Sequence, residues 1–295
     1  LNAQIEVYNS RSEWLAARRS GIGSSDAAAI LGESSWASPY SVWAEKRGLE
    51  SSSEENERMR WGTLLEAPIR DEYALRTKRN VRHYGSFAIC RNNKYPWLLS
   101  SLDGDIEAAE GNGVYEGKLV DAFLAEDWAD EPPLKYQIQI QQQMLNTGYR
   151  WGSLNCVIGG NKMQWFDLLA NDDFQGAMLD RLAKFWDCVQ SGREPEIDGS
   201  AAPARAIKTL HPNDDGSAVD LPDEAITRWE EREELAKEIK SLESKQKAHD
   251  NWFKAKIGGA TYGVAQGRTW SMKTTARSGY EVKPCTYRQL RKAGK

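Results

Sequence analysis

The sequence predicts an α/β layered fold with a mixed central sheet flanked by helices. Three observations lead there. Apolar residues recur at helical spacing in several segments, and short alternating segments between them read as strands. The order runs helices, three strands, helix, two strands, helix, which is the order of a layered sheet. At 295 residues the chain is long enough for one large domain or two smaller ones with an ample core.

Residues 10–19 read as a short helix with Ser10 as N-cap and Glu13 completing a capping box. In 20–32 the glycines and serines form a turn, Ser24 or Ser25 caps a second helix, and Gly32 ends it. A helix start with two serine hydroxyls beside Arg18 and Arg19 suits a phosphate cradle and an ordinary cap equally. Pro39 opens a third helix, and 50–57 is a polar connection. A long helix follows over about 59–77. Leu65, Ile69 and Tyr73 mark its buried face, Glu66 and Glu72 lie on it, and Pro68 inside it either kinks or splits it.

Segments 81–90, 98–106 and 114–120 read as strands. The last two flank a Glu-Gly-Asn-Gly turn at 110–113 and read as a hairpin or a closely similar pair of strands. Residues 135–145 are helical, with Tyr136, Ile140 and Met144 stacked at four-residue steps. Gln139 and Gln143 make a parallel polar row, expected on the surface. Two more strands, 151–158 and 163–169, surround Gly159-Gly160-Asn161, and 172–189 is an amphipathic helix. The main domain is therefore placed at 1–190. Residues 191–222, rich in Gly, Pro, Ala and Asp, read as a linker. An extension follows over 223–295: a long charged helix at 223–253, a hairpin at 260–274 around Gln266-Gly267-Arg268, and a short basic helix at 286–292.

Composition narrows the functional classes. No apolar run approaches the roughly 20 residues of a membrane helix, and the N-terminal residues lack a secretion-signal pattern. Four cysteines without CxxC spacing argue against a zinc site or a disulfide framework, and a reducing cytoplasm is expected. A net charge of −4 argues against a wholly basic surface and leaves room for a local basic groove. The twelve tryptophans are read chiefly as core, although they also suit base stacking.

The chemistry concentrates at 98–120. The first strand delivers Asp103, and the second delivers Glu116 and Lys118, two residues apart and so on one face. Two carboxylates and an ammonium at one spot are costly unless a cation joins them, and oxygen ligands suit Mg²⁺ or Mn²⁺. A lysine beside such an ion can orient or deprotonate a water.

Asp103 followed by Glu116-Gly117-Lys118 is the pattern of PD-(D/E)XK nucleases. Four further pieces come in order with it: Trp14-x-x-x-Arg18, Gly21-Ile22-Gly23-Ser24-Ser25-Asp26, Gly62-x-x-x-Glu66, and Tyr136-x-x-Gln139-x-Gln141-x-x-Met144. Together, over about 10–190, the chain resembles the YqaJ-like viral recombinases, which include the lambda-type alkaline exonucleases. It departs from the family at Leu102, where proline or alanine is usual, and at Gly117, where an apolar residue is usual.

The resemblance implies a restriction-endonuclease-like core and specific roles. Asp103, Glu116 and the Gly117 carbonyl would hold Mg²⁺ or Mn²⁺, with two ions per site. Lys118 would orient or deprotonate the attacking water, and Glu66 and Gln139 would support the metals or the nucleophile. Arg18 and Ser25 would bind a 5′-terminal phosphate. The implied activity is 5′ to 3′ hydrolysis of double-stranded DNA ends that leaves 3′ overhangs for phage-type recombination. The implied partners are a single-strand annealing protein and further copies of the chain, as a trimer, with no membrane. An endonuclease and a non-catalytic DNA-binding or assembly module are the competing readings.

Overall fold

Fifteen of the eighteen strands and α-helices among the described residues fall within the first 212 residues. The computed structural model describes residues 1–49, 56–276, 279 and 290. Its strands are β1 (Ala3–Val7), β2 (Asn80–Arg82), β3 (Ala88–Asn92), β4 (Leu99–Ser100), β5 (Gly104–Glu107), β6 (Gly113–Val120), β7 (Trp151–Ile158), β8 (Lys162–Leu169), β9 (Tyr262–Ala265) and β10 (Arg268–Ser271). Its helices are α1 (Arg11–Arg18), α2 (Ser24–Ile30), α3 (Pro39–Lys46), α4 (Glu57–Thr77), α5 (Leu134–Thr147), α6 (Asp172–Ser191), α7 (Ala201–Leu210) and α8 (Glu224–Ile257).

The central sheet has the order β2-β5-β6-β7-β8, with β6 and β7 parallel and the other pairs antiparallel. A parallel pair needs a crossover, and α5 supplies it. Alternation along β6 sends Tyr115 to a small aromatic core with Tyr73 of α4 and Ile106. Val114 and Val120 go to the opposite face, into a core with Ile140 and Met144 of α5. A second, antiparallel sheet has the order β1-β3-β4. The segments expected as single strands over 81–90 and 98–106 are thus each two, β2 and β3, and β4 and β5, whose halves join different sheets. A third core is helical and draws on α2, α3, α6 and α7, including Trp43, Leu182, Phe185 and Ala206.

Several local expectations are corrected. Gly23, not Ser24 or Ser25, is the N-cap of α2, and its amide donates to the Asp26 carboxylate at 2.9 Å. Ser10 does cap α1, but Glu13 reaches back to the amide of Asn9 and not to that of Ser10. α4 continues unbroken through Pro68. Within the segment read as a linker, α7 buries Ala202, Pro203 and Ala206.

The amide face of α5 is buried rather than exposed. Gln142 donates to the carbonyls of Ile22 (3.2 Å) and Leu99 (3.0 Å), and Asn146 donates to that of Cys90 (2.7 Å). These bonds tie the crossover helix to the second sheet and to the loop before α2.

Two compact units divide at Pro212 and Asn213. In the second, α8 is followed by the β9–β10 hairpin, whose two-residue turn at Gln266 and Gly267 has φ of +50° and +77°. Of the basic helix expected at 286–292, all but Leu290 lies outside the described residues. Among the described residues no helix is long and apolar enough to cross a membrane. Replacing Gln142 with Leu is expected to lower unfolding stability by about 1–3 kcal/mol, because buried carbonyls lose their donor; a urea titration of both proteins measures it.

Candidate active site

Four parts of the chain meet at one cleft of about 530 Å³: α1 with the start of α2, the first half of α4, residues 83–89 leading into β3, and the Asp103 turn with β6 and α5. Arg18, Ser25, Glu66, Asp103, Glu116, Lys118 and Gln139 all line it. Gly117 lies on β6 between two of them. A volume of this size is in the range of pockets that enclose nucleotide-sized ligands.

Glu116 sits at the centre, 1 % exposed. A carboxylate that deep needs partners for its charge and lone pairs. One oxygen accepts from Gln139 Nε2 at 2.6 Å and from Lys118 Nζ; the other accepts from Gln143 Nε2 at 2.7 Å. Gln143 also lies 3.4 Å from the Ser24 hydroxyl, so a single amide bridges the carboxylate and the α2 turn. Gln143 is a site residue that the sequence reading left on the surface.

A signal for it exists. Gln139, Gln142, Gln143 and Asn146 follow the i, i+3, i+4, i+7 spacing of a buried helix face, with amides in place of apolar side chains.

Asp103 lies in the turn before β5, where one carboxylate oxygen accepts from the Gly117 amide at 2.9 Å. Burial and the nearby Glu116 charge push its pKa well above the ordinary carboxylate range. Glu66 is pushed up in the same way, by burial and then by Glu116; His83 Nε2 is 3.6 Å from it. For Lys118, burial works against the ammonium, yet Glu116 and Asp103 outweigh it and raise the pKa. Lys118 Nζ also sits 5.5 Å from the centre of the Tyr136 ring. As an ammonium it donates and orients; it accepts a proton only if added positive charge lowers its pKa.

The cleft thus holds three carboxylates against one ammonium. Among the described residues no cluster of three or more carboxylate, imidazole or thiol groups closes into a metal cage. Asp103 and Glu116 beside the Gly117 backbone form an all-oxygen set. Such a set suits an ion that keeps waters and takes its remaining ligands from a phosphate. The mutual repulsion that raises Asp103 is what a divalent cation would relieve, so the donors fit Mg²⁺ or Mn²⁺.

Glycine at 117 has a steric reason. A Cβ there would lie 3.1 Å from the Tyr115 hydroxyl and 3.6 Å from Ile69. That hydroxyl accepts from Asn155 at 3.1 Å, and its ring contacts Tyr73 at 4.9 Å. The smaller residue makes room for a tyrosine two positions back on the same face.

At the other end, Arg18 Nη2 donates to the Ser25 hydroxyl at 3.0 Å, and the guanidinium stacks 4.8 Å from the Trp14 ring centre. Both are anchored by a buried pair. Lys46, its side chain fully buried, contacts Asp26 at 2.7 Å and the Arg18 carbonyl at 3.2 Å. Asp26 in turn lies 3.9 Å from Arg18. Burial alone would raise the Asp26 pKa, but Lys46, Arg18 and the Gly23 amide together lower it.

Comparison with known proteins gives a family and a fold. Residues 13–150 match the profile described as the YqaJ-like viral recombinase domain. The chain is 32 % identical over 260 residues to the uncharacterized protein YqaJ of Bacillus subtilis, spanning 86 % of this chain and 80 % of that protein. It is similar in structure to an alkaline exonuclease, LHK-Exo, from Laribacter hongkongensis (TM-score 0.54, 22 % identity, 61 % of this chain and 93 % of that one). It is also similar to LHK-Exo in complex with dAMP (TM-score 0.53, 20 % identity, the same coverage). The core is the restriction-endonuclease-like fold.

Replacing Lys46 with Met leaves Asp26 buried without its nearest counter-charge, and an expected loss of about 3–5 kcal/mol follows at pH 7. The wild-type contribution of Asp26 is fully present above the ordinary carboxylate pKa of about 3.9 and is lost as pH falls through the lowered folded value. The gap between the two proteins therefore narrows in acid, which denaturation at pH 7 and pH 3 measures.

Proposed function

Because the chain belongs to the YqaJ-like viral recombinase family, we propose that it is a metal-dependent deoxyribonuclease that digests double-stranded DNA from its ends, 5′ to 3′, and leaves 3′ single-stranded overhangs. The observation that carries this reading is the convergence of Asp103, Glu116 and Lys118 with Arg18 and Ser25 in one cleft. A charge cluster that favours a cation and a guanidinium–hydroxyl pair that favours a phosphate then act on the same strand.

Asp103 and Glu116, with the Gly117 carbonyl, would hold Mg²⁺ or Mn²⁺, two ions per site. When bound, these polarise the scissile phosphate and stabilise its charge. Lys118 donates to and orients the attacking water, and Glu66 stands across from it as a proton acceptor or water ligand. Gln139 and Gln143 fix the Glu116 carboxylate, so that the ligand keeps its geometry without a protein proton on it. Arg18 and Ser25 receive the terminal 5′-phosphate by charge-assisted hydrogen bonds, which sets the register of the cut. A terminal-phosphate site favours cleavage from ends over cleavage within a closed duplex. Family kinship further supports a homo-oligomer, a trimer, acting with a single-strand annealing protein in recombination. The buried free thiols Cys90 and Cys156 suit a reducing cytoplasm.

Three outcomes are expected. With Mg²⁺ and linear duplex carrying a 5′-phosphate, wild type releases mononucleotides, and Lys118→Ala is slower by at least about 10²-fold; equal cutting of closed circles would move the assignment to an endonuclease. Arg18→Ala reduces the rate advantage of 5′-phosphate over 5′-hydroxyl ends by about 10- to 100-fold. Asp103→Asn abolishes cleavage yet melts at a higher temperature than wild type in EDTA, because it removes a buried repulsion, and calorimetry reads the difference.

A further inference from the structure

The second unit carries a feature that the nuclease chemistry leaves unused. α8 is 34 residues long, roughly 50 Å at 1.5 Å per residue, and buries none of its side chains. Leu235, Ile239 and Leu242 are 56–63 % exposed and lie at 4- and 3-residue steps on one face, the spacing of a coiled-coil seam. No described residue of the second unit covers them. Toward the C-terminus the same face reaches Phe253, which the hairpin occupies: its ring lies 5.1 Å from Trp270. The open part of the seam is the middle of the helix.

Charge along α8 is divided. Residues 224–238 carry six carboxylates against three basic side chains, and 240–256 carry five lysines against two carboxylates. The division falls at the centre of the apolar seam. A second copy laid antiparallel across this centre sets each acidic half against a basic half, and the full length of both helices overlaps. In that register Ile239 of one copy meets Leu242 of the other, and Glu238 flanks the seam opposite Lys245. A parallel pair would set acidic half on acidic half and bring Glu238 beside Glu243. Positions flanking a seam set the orientation of pairing through such charges. Neither Glu238 nor Lys245 has an ion-pair partner among the described residues within 4 Å.

We propose that α8 is a self-association helix, pairing antiparallel with α8 of a second copy through Leu235, Ile239 and Leu242 and selected by the Glu238–Lys245 charges. The proposal goes beyond the nuclease reading and does not rest on it, since its test reads mass and not cleavage.

The test is light scattering coupled to gel filtration on the full chain, over a range of concentrations. Whatever assembly the first unit forms alone is common to every variant. Ile239→Asp is expected to lower the assembly mass by a factor of two; an unchanged mass overturns the proposal. Glu238→Lys and Lys245→Glu, each alone, are expected to weaken association about tenfold, the scale of two exposed ion pairs turned repulsive. Mixing the two single variants, or combining both substitutions in one chain, restores it. Association that is unaffected or strengthened by Glu238→Lys overturns the antiparallel arrangement, as does failure of the mixture to recover. Retained circular dichroism of α8 in each variant separates lost pairing from lost helix.

Discussion

A buried carboxylate that cannot be left alone, Glu116, is the constraint around which the first unit is arranged. Its position on β6, between β5 and parallel β7, leaves it 1 % exposed. Removing a charge from water costs several kcal/mol unless hydrogen bonds and counter-charge replace the solvent. The replacements come from its own strand, as Lys118, and from the crossover helix, as Gln139 and Gln143. The crossover that the parallel pair requires is therefore also the wall of the cleft. The same helix anchors the second sheet through Gln142 and Asn146, so the fold and the site share one amide face.

Two charge clusters in this unit behave oppositely, and the contrast separates structure from function. Asp26 is buried but answered by Lys46, Arg18 and the Gly23 amide, and its pKa falls. Asp103 and Glu66 are gathered beside Glu116 with Lys118 as their shared cation, and their pKa values rise. A cluster left short of positive charge in a cleft marks a place where a cation or a proton is expected to arrive. The satisfied pair supports Arg18 from behind, and the unsatisfied one faces the cleft.

Packing also explains the departure at Gly117. The residue between the two charged positions points to the opposite face of β6, where the ring of Tyr115 takes up the space beneath α4. A change beside two site residues thus answers to the aromatic core on the far side of the sheet, while its amide still binds Asp103.

The sequence by itself determined the elements and the chemical group. Periodicity placed α4, α5, α6, β7 and β8 within a few residues, because it reports which side chains share a face. The spacing of Asp103, Glu116 and Lys118 put two of them on one strand face, because a strand repeats every two residues. Only the tertiary structure decided what each face meets. Gln139 and Gln143 looked solvated because amides usually are; Gln143 is buried and Gln139 half-buried because the Glu116 carboxylate of β6 and the start of α2 lie against α5. Residues 81–90 looked like one strand because local pattern carries no information on which sheet accepts each half. Arg18 and Ser25, some eighty residues from Asp103, join its cleft only because the loop before α2 pairs at Ile22 with Leu98 beside β4. Such long-range pairing depends on the balance of burial and hydrogen bonding over the whole unit, which no local window of sequence contains.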